Sequence, residues 1–481
     1  MGKRKMEIDF VSAECYPAAK TGGLGDVVGS LPRYINKLKA NVTVIIPKYF
    51  MPWFTQQSYT PVYEGGFFLG SEPVRFTIQK VNGNPLGYNM YVIDIPGKFD
   101  RAGVYADENG QFFGDEVERY ISFSRAYLAW KNDIVEKPDV IHCHDHHTGL
   151  IPFMVSHCYD FRSLSAIPTV FTIHNERYQG AFGWDRQFLI PQFDTWKSGQ
   201  LDWANHINPL ASGVKCSWKV TTVSPSYMSE LIEKSFGLEW LFSNEASKSQ
   251  GILNGIDNEN WNPRTDNFIH TKLNKSVARF KSANKKALLS EYELNPEIPL
   301  VSFIGRFAME KGADLLPGLI DVSLSQGVNV QFLVLGTGDK TMENHLRVIG
   351  EKWPSSTIIY IAYDEKLAHQ IYAGSDFLIM PSRVEPCGLN QMYSMRYGTI
   401  PVVNNIGGLK DSVVDISEEE GSGIKMNGLY IDELISAIKR CCALYDDKKK
   451  LKTVRENIIE LDNSWDSSAM EYLKLYETLS Q

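Results

Sequence analysis

Much of what a chain of 481 residues could carry is missing from this one. Its seven cysteines are scattered and odd in number, and no two are spaced as Cys-x-x-Cys. The neighbours Cys441-Cys442 fall in a helix-like stretch. This is no disulfide framework, and it points to a reducing compartment. No run reaches the roughly 20 apolar residues of a membrane-spanning helix. The start, Met1-Gly2-Lys3-Arg4-Lys5, is basic, but Glu7 follows and no adequate apolar core does. No signal peptide is expected, and the expected location is cytoplasmic. Positive charge is not in excess: the net charge is −8 and the pI about 5.8. That balance argues against nucleic acid as the main partner, while leaving room for anionic small ligands held by local cations. There is no short-period repeat and no low-complexity segment. Neither GxGxxG nor GxxxxGK[ST] occurs, so a nicotinamide cofactor and an ordinary P-loop are unsupported.

What is present is an alternation of short apolar runs and helical stretches, on a chain too long for one core. Runs at 8–13, 42–47, 139–144, 168–173 and 220–224 read as buried parallel strands. The segment 257–263, with Trp261-Asn262-Pro263, loses periodicity, and the alternation restarts at 300–305, 330–335, 358–362, 377–380 and 400–403. The expected class is α/β with two domains, 1–255 and 256–460, and a final helix within 461–481. In open α/β sheets the turns outside the carboxyl ends of the strands hold the ligands.

Those turns are polar or glycine-rich. Lys20-Thr21-Gly22-Gly23-Leu24-Gly25-Asp26 joins a strand to a helix N-terminus. Its glycines allow close backbone approach and its lysine adds a cation, which fits phosphate. A plain glycine turn would look the same. Asp139-Val140-Ile141-His142-Cys143-His144-Asp145-His146-His147 ends a strand in a polar cluster. Alternation puts His142, His144 and His146 on one side, a spacing better suited to packed histidines than to zinc. His174-Asn175 lies at another strand tip. Arg306 and Lys311 flank a strand–helix turn and can converge on a diphosphate, Arg by its fork and Lys as a point charge. Pro381-Ser382-Arg383-Val384-Glu385-Pro386-Cys387-Gly388-Leu389 lies between the 377–380 strand and a helix from about Asn390. It sets a carboxylate beside an anion-binding helix end. A sugar with developing positive charge next to a phosphate gives that acid a purpose. No carboxylate pair spaced for glycoside hydrolysis emerges, so transfer from a nucleotide sugar is better supported.

These motifs together resemble the bacterial glycogen synthase and plant starch synthase family. The resemblance is carried by Lys20-Thr21-Gly22-Gly23-Leu24, His144-Asp145, His174-Asn175, Leu253-Asn254-Gly255-Ile256-Asp257, Arg306 with Lys311, the 381–389 stretch and Gly407-Gly408-Leu409. It runs in order from about residue 7 to residue 480. It implies a GT-B fold: two Rossmann-like domains facing a cleft, with the last helix crossing back to the first. It implies transfer of glucose from a nucleotide diphosphate glucose, usually ADP-glucose, to the non-reducing end of an α-1,4-glucan. The anomeric configuration is retained, with no metal and no cofactor. By the same resemblance, Arg306 and Lys311 hold the donor phosphates, joined by Lys20 and the Gly22-Gly23 loop with Asp26. Glu385 contacts the donor glucose, and Cys387, Gly388 and Leu389 bring backbone N–H groups, with Gly407 and Gly408 nearby. His174, Asn175 and Asn254 line the glucose pocket, Asp145 sits on the acceptor side, and Tyr363 stacks on the base. Four departures stand out. His146 replaces the usual Trp, Gly25 a common Ala, and Ile406 the usual Thr, with Asn404-Asn405 where a basic residue is common. The His146 change bears on an acceptor stacking surface, and the departures together bear on ADP-glucose against UDP-glucose. The alternatives are a related enzyme with a different acceptor and a non-catalytic glucan-binding protein.

Overall fold

The computed structural model describes residues 4–479 apart from Asn109 and Glu293. The first three residues of the basic start lie outside them. The chain divides into two compact units, Met1–Asn254 with Trp465–Gln481, and Gly255–Ser464. Among the described residues no helix is long and apolar enough to cross a membrane.

In the first unit seven parallel strands run in the order Ser249–Gly251, Lys219–Thr222, Thr169–Ile173, Val140–His144, Met6–Val11, Ala40–Pro47 and Asn89–Asp94. The antiparallel strands Glu72–Val81 and Tyr59–Leu69 extend that edge. The central strands are apolar on both faces because helices cover both, and Val140–His144 and Thr169–Ile173 are buried at every residue. Helix Gly23–Asn36 starts at Gly22, whose backbone is extended and supplies no side-chain cap. The last helix, Trp465–Glu477, packs against it. Trp465, Tyr472 and Tyr476 are buried there, and the Tyr476 hydroxyl lies 2.7 Å from His142 Nδ1.

In the second unit six parallel strands run in the order Thr357–Ile361, Gln331–Gly336, Leu300–Ile304, Phe377–Met380, Ile400–Asn404 and Ile424–Met426. Five of these match the expected strands to within a residue or two. The sixth, three residues long, follows a polar stretch that hides it. A buried cluster including Leu378, Met380, Val403 and Leu409 fixes the strands that carry the 381–389 and 407–408 turns.

Candidate functional site

In the second unit the site grows from three turns at the carboxyl edge of the sheet. Strand Leu300–Ile304 runs into residues 305–315, where Gly312 takes φ 69° and a Cβ would stand 2.0 Å from the Pro381 carbonyl oxygen. Only glycine fits, and the fit presses this turn against the one that follows strand Phe377–Met380. The two turns are then laced together. Arg383 forks Asp314 at 2.6 and 2.8 Å, and its backbone N–H donates to the Glu310 carbonyl at 2.7 Å. The lacing delivers Lys311 to Glu385. Its ammonium donates to both carboxylate oxygens, at 2.7 and 2.8 Å, and the Ser382 hydroxyl adds a third donor at 2.9 Å. Glu385 is only 7 % exposed. A carboxylate that buried needs this pairing. Arg306 points elsewhere: it pairs with Glu310 at 2.8 Å, and its side chain is 67 % exposed.

The third turn belongs to Gly407-Gly408, where the short helix Gly407–Ser412 begins. The Gly408 N–H donates to the Glu385 carbonyl at 3.1 Å, and a Cβ on Gly408 would meet the Cys387 carbonyl oxygen at 2.1 Å. The 385–388 backbone is thus clamped, with Gln391 donating to the carbonyls of Cys387 and Gly388. Leu389 closes the turn as helix Asn390–Arg396 begins. Tyr363, after strand Thr357–Ile361, is 83 % exposed and packs into none of this.

In the first unit the organiser is a residue that sequence reasoning missed. Glu14 follows strand Met6–Val11 and is buried. It accepts from the N–H groups of Thr21 and Gly22 at 2.6 and 3.1 Å, and from the Tyr105 hydroxyl at 2.6 Å. Burial raises its pKa, against the pull of those three donors. The signal was an acid at the end of the mostly apolar stretch from Ile8 to Cys15, which also holds Asp9 and Ser12. With the 20–22 backbone tied to Glu14, Lys20 reaches Asp26 at 2.7 Å and lies over the Tyr16 ring. Gly22 and Gly23 have nothing within 4 Å of where a Cβ would stand, which leaves open space over the loop.

Strands Val140–His144 and Thr169–Ile173 end side by side. Asp145 is buried at φ 56°, ψ 176°, a conformation that normally needs glycine. Its Oδ1 accepts from the N–H groups of His174 and Asn175, at 2.7 and 3.4 Å. Burial pushes its carboxyl up to about 7. His144 Nδ1 lies 3.1 Å from His174 Nε2, and burial lowers His174 to about 3, so that ring stays neutral. Asn254 is buried too, and its Oδ1 has no protein partner. The histidines sharing a strand face do not share a ligand. His142 and His144 stack, with ring centres 4.3 Å apart, while His146 turns to Glu116.

Residues 7–244 match the family described as the starch synthase catalytic domain, and residues 284–459 match glycosyl transferases group 1. A glycogen synthase from Flavobacterium johnsoniae is 44 % identical over 480 residues, spanning 99 % of this chain and all of that one. The chain belongs to the glycogen synthase and starch synthase family. A further family member, the glycogen synthase of Alkaliphilus metalliredigens, is 35 % identical over 98 % of the chain. The catalytic domain of starch synthase IV from Arabidopsis thaliana, solved with ADP and acarbose, superposes with a TM-score of 0.87 at 30 % identity. It covers 99 % of both chains. A sucrose-phosphate synthase from Thermosynechococcus elongatus, TM-score 0.59 at 17 % identity, shares the fold alone. The two α/β units are those of a family glycosyltransferase with the GT-B fold.

Proposed function

We propose that this chain transfers glucose from ADP-glucose to the non-reducing end of an α-1,4-glucan, with retention. The observation that carries the proposal is the buried Glu385, clasped by Lys311 at a strand tip and flanked by clamped backbone. One cation beside one acid suits a glycosyl phosphate bond, which has both a leaving oxygen and an electron-poor carbon. The ADP bound to the Arabidopsis relative supports the adenine nucleotide.

In this reading the second unit takes the donor and the first the acceptor. Lys311 and Arg306 neutralise charge growing on the leaving diphosphate, assisted by Lys20 and the backbone of Gly22 and Gly23, with Asp26 setting the lysine. Such groups favour the transition state over the ground state because the charge is larger there. Glu385 faces the donor glucose. The N–H groups of Cys387, Gly388 and Leu389, with those of Gly407 and Gly408, hold the sugar and phosphate. Neutral His174, Asn175 and the unpartnered Asn254 Oδ1 meet sugar hydroxyls, Asp145 serves the acceptor side, and Tyr363 stacks on the base. No metal or cofactor takes part in the transfer.

The deciding experiment offers ADP-glucose and UDP-glucose separately with glycogen and follows nucleotide release and glucan growth. Faster growth with ADP-glucose is expected. Preference for UDP-glucose would reassign the donor, and growth with neither would overturn the activity.

A further inference from the structure

One constellation in the first unit lies outside the machinery just described. Glu116 is the first residue of helix Glu116–Asp133, and His146 and His147 form the short turn after Asp145. One ligand atom from each lies within 4.8 Å of the other two. Glu116 Oε1 is 3.0 Å from His146 Nε2 and 3.8 Å from His147 Nε2. Donor atoms on one tetrahedral ion at 2.0–2.1 Å stand about 3.3 Å apart, midway between those two distances. We infer that Glu116, His146 and His147 form a binding site for one divalent transition-metal ion of the Zn2+ class.

The chemistry of the set agrees. Two imidazoles and one carboxylate suit zinc and its neighbours, and a fourth position is left for water. Both histidines are buried, and the Nδ1 of each has no protein partner. His146 Nε2 now faces the Glu116 carboxylate as a donor; ligation moves the ring proton of each histidine to Nδ1, where a cavity water has to accept it. Glu116 keeps 48 % of its side chain exposed and borders a cavity of about 90 Å³ that both histidines also line. That cavity gives an entry path and space for the fourth ligand. The ring centres of His146 and His147 are 3.8 Å apart, so loading parts them by about 1 Å. Arg119, on the same helix, donates to the carbonyls of Lys98 and Val104, and its Nη1 stays buried without a partner, a cation the loaded site has to tolerate.

An ion there staples the helix to the turn that presents Asp145. Its place is that of a positioning ion.

The test uses the full chain, stripped with chelator and titrated with Co2+. One equivalent should bind, with the intense visible absorption of four-coordinate cobalt, and Zn2+ should abolish that absorption. The thermal midpoint should rise on loading. Glu116→Gln and His146→Trp should each weaken Co2+ binding by more than about a hundredfold, beyond the ~10–100-fold typical of losing an outer-shell partner. His206→Ala, an exposed histidine elsewhere, should change nothing. Glu116 lies at a half-exposed helix start, so the Gln variant tests the site without emptying a core, and circular dichroism checks its fold. The weak absorption of six-coordinate cobalt, or unchanged affinity in the folded Gln variant, would overturn the site. Because the readout is absorption, its failure is distinct from a failure of the transferase reading.

Discussion

At the scale of single residues, the Lys311–Glu385 pair and the Arg306–Glu310 pair separate two functions that one turn could have merged. Glu385→Ala removes the acid but leaves both cations. Turnover should fall by at least the ~10²–10³ typical of losing one preorganised group, with ADP affinity within a few-fold of wild type, measured by calorimetry beside the glucan assay. Normal turnover would remove Glu385 from the chemistry. Arg306 is largely exposed, so Arg306→Ala costs the fold little and should weaken ADP binding directly. Unchanged ADP affinity would place the phosphate cation elsewhere. The strand-tip residues Lys20, Asp145, His174, Arg306, Lys311 and Glu385 were legible in the sequence, because polar or glycine-rich residues ending an apolar run are conspicuous. Glu14 was not, because its partners are backbone N–H groups seven and eight residues away and a tyrosine hydroxyl at position 105. The direction of Arg306 was not legible either. Spacing limits which groups a side chain can reach, but not which of them it takes.

At the scale of elements, helix Trp465–Glu477 belongs to the first unit although 210 residues of the second precede it. Its anchors are the Tyr476 hydroxyl on His142 and the Ser468 hydroxyl on the Leu253 carbonyl, at 2.7 and 2.5 Å. Tyr476→Phe strips one buried hydrogen bond and should cost about 1 kcal/mol, whereas Trp465→Ala opens a cavity and should cost about 3–5 kcal/mol. Urea denaturation followed by tryptophan fluorescence checks the first. Circular dichroism serves the second, which removes a fluorophore. Equal costs would mean that the helix is loosely held. The sequence shows this helix and its aromatic residues clearly, and only the resemblance assigns it to the first unit. The hairpin of Tyr59–Leu69 with Glu72–Val81 and the helix Glu116–Asp133 went unread. The first hairpin strand is half exposed, and its periodicity is broken by Gly65-Gly66 and by a register shift between Pro61 and Tyr63. The helix carries Arg119, Arg125 and Lys131 on buried positions, which blurs its apolar stripe.

At the scale of the whole molecule, buried histidines set the response to acid. His142, His144, His147 and His174 are all held below their ordinary pKa by burial, so the folded protein leaves them neutral where the unfolded chain binds protons. Their contribution is fully present above about pH 6.5 and is lost progressively as pH falls from there toward their depressed folded values. Glu14, Asp145 and Glu176, held above the usual carboxylate range by burial, act in the opposite sense. The histidines outnumber them, so stability should fall from pH 6.5 to pH 5, by about 1.4 kcal/mol per pH unit for each net proton. Urea midpoints with chelator present measure this, and a midpoint that rises on acidification would contradict it. The Lys311–Glu385 clasp has a wider consequence. With Lys311 as the proposed phosphate cation, an incoming diphosphate has to compete with a carboxylate for one ammonium. While no donor is bound, the acid is quenched by its own neighbour. In the proposed function the carboxylate is released as the sugar arrives, so the resting clasp keeps a bare acid from water.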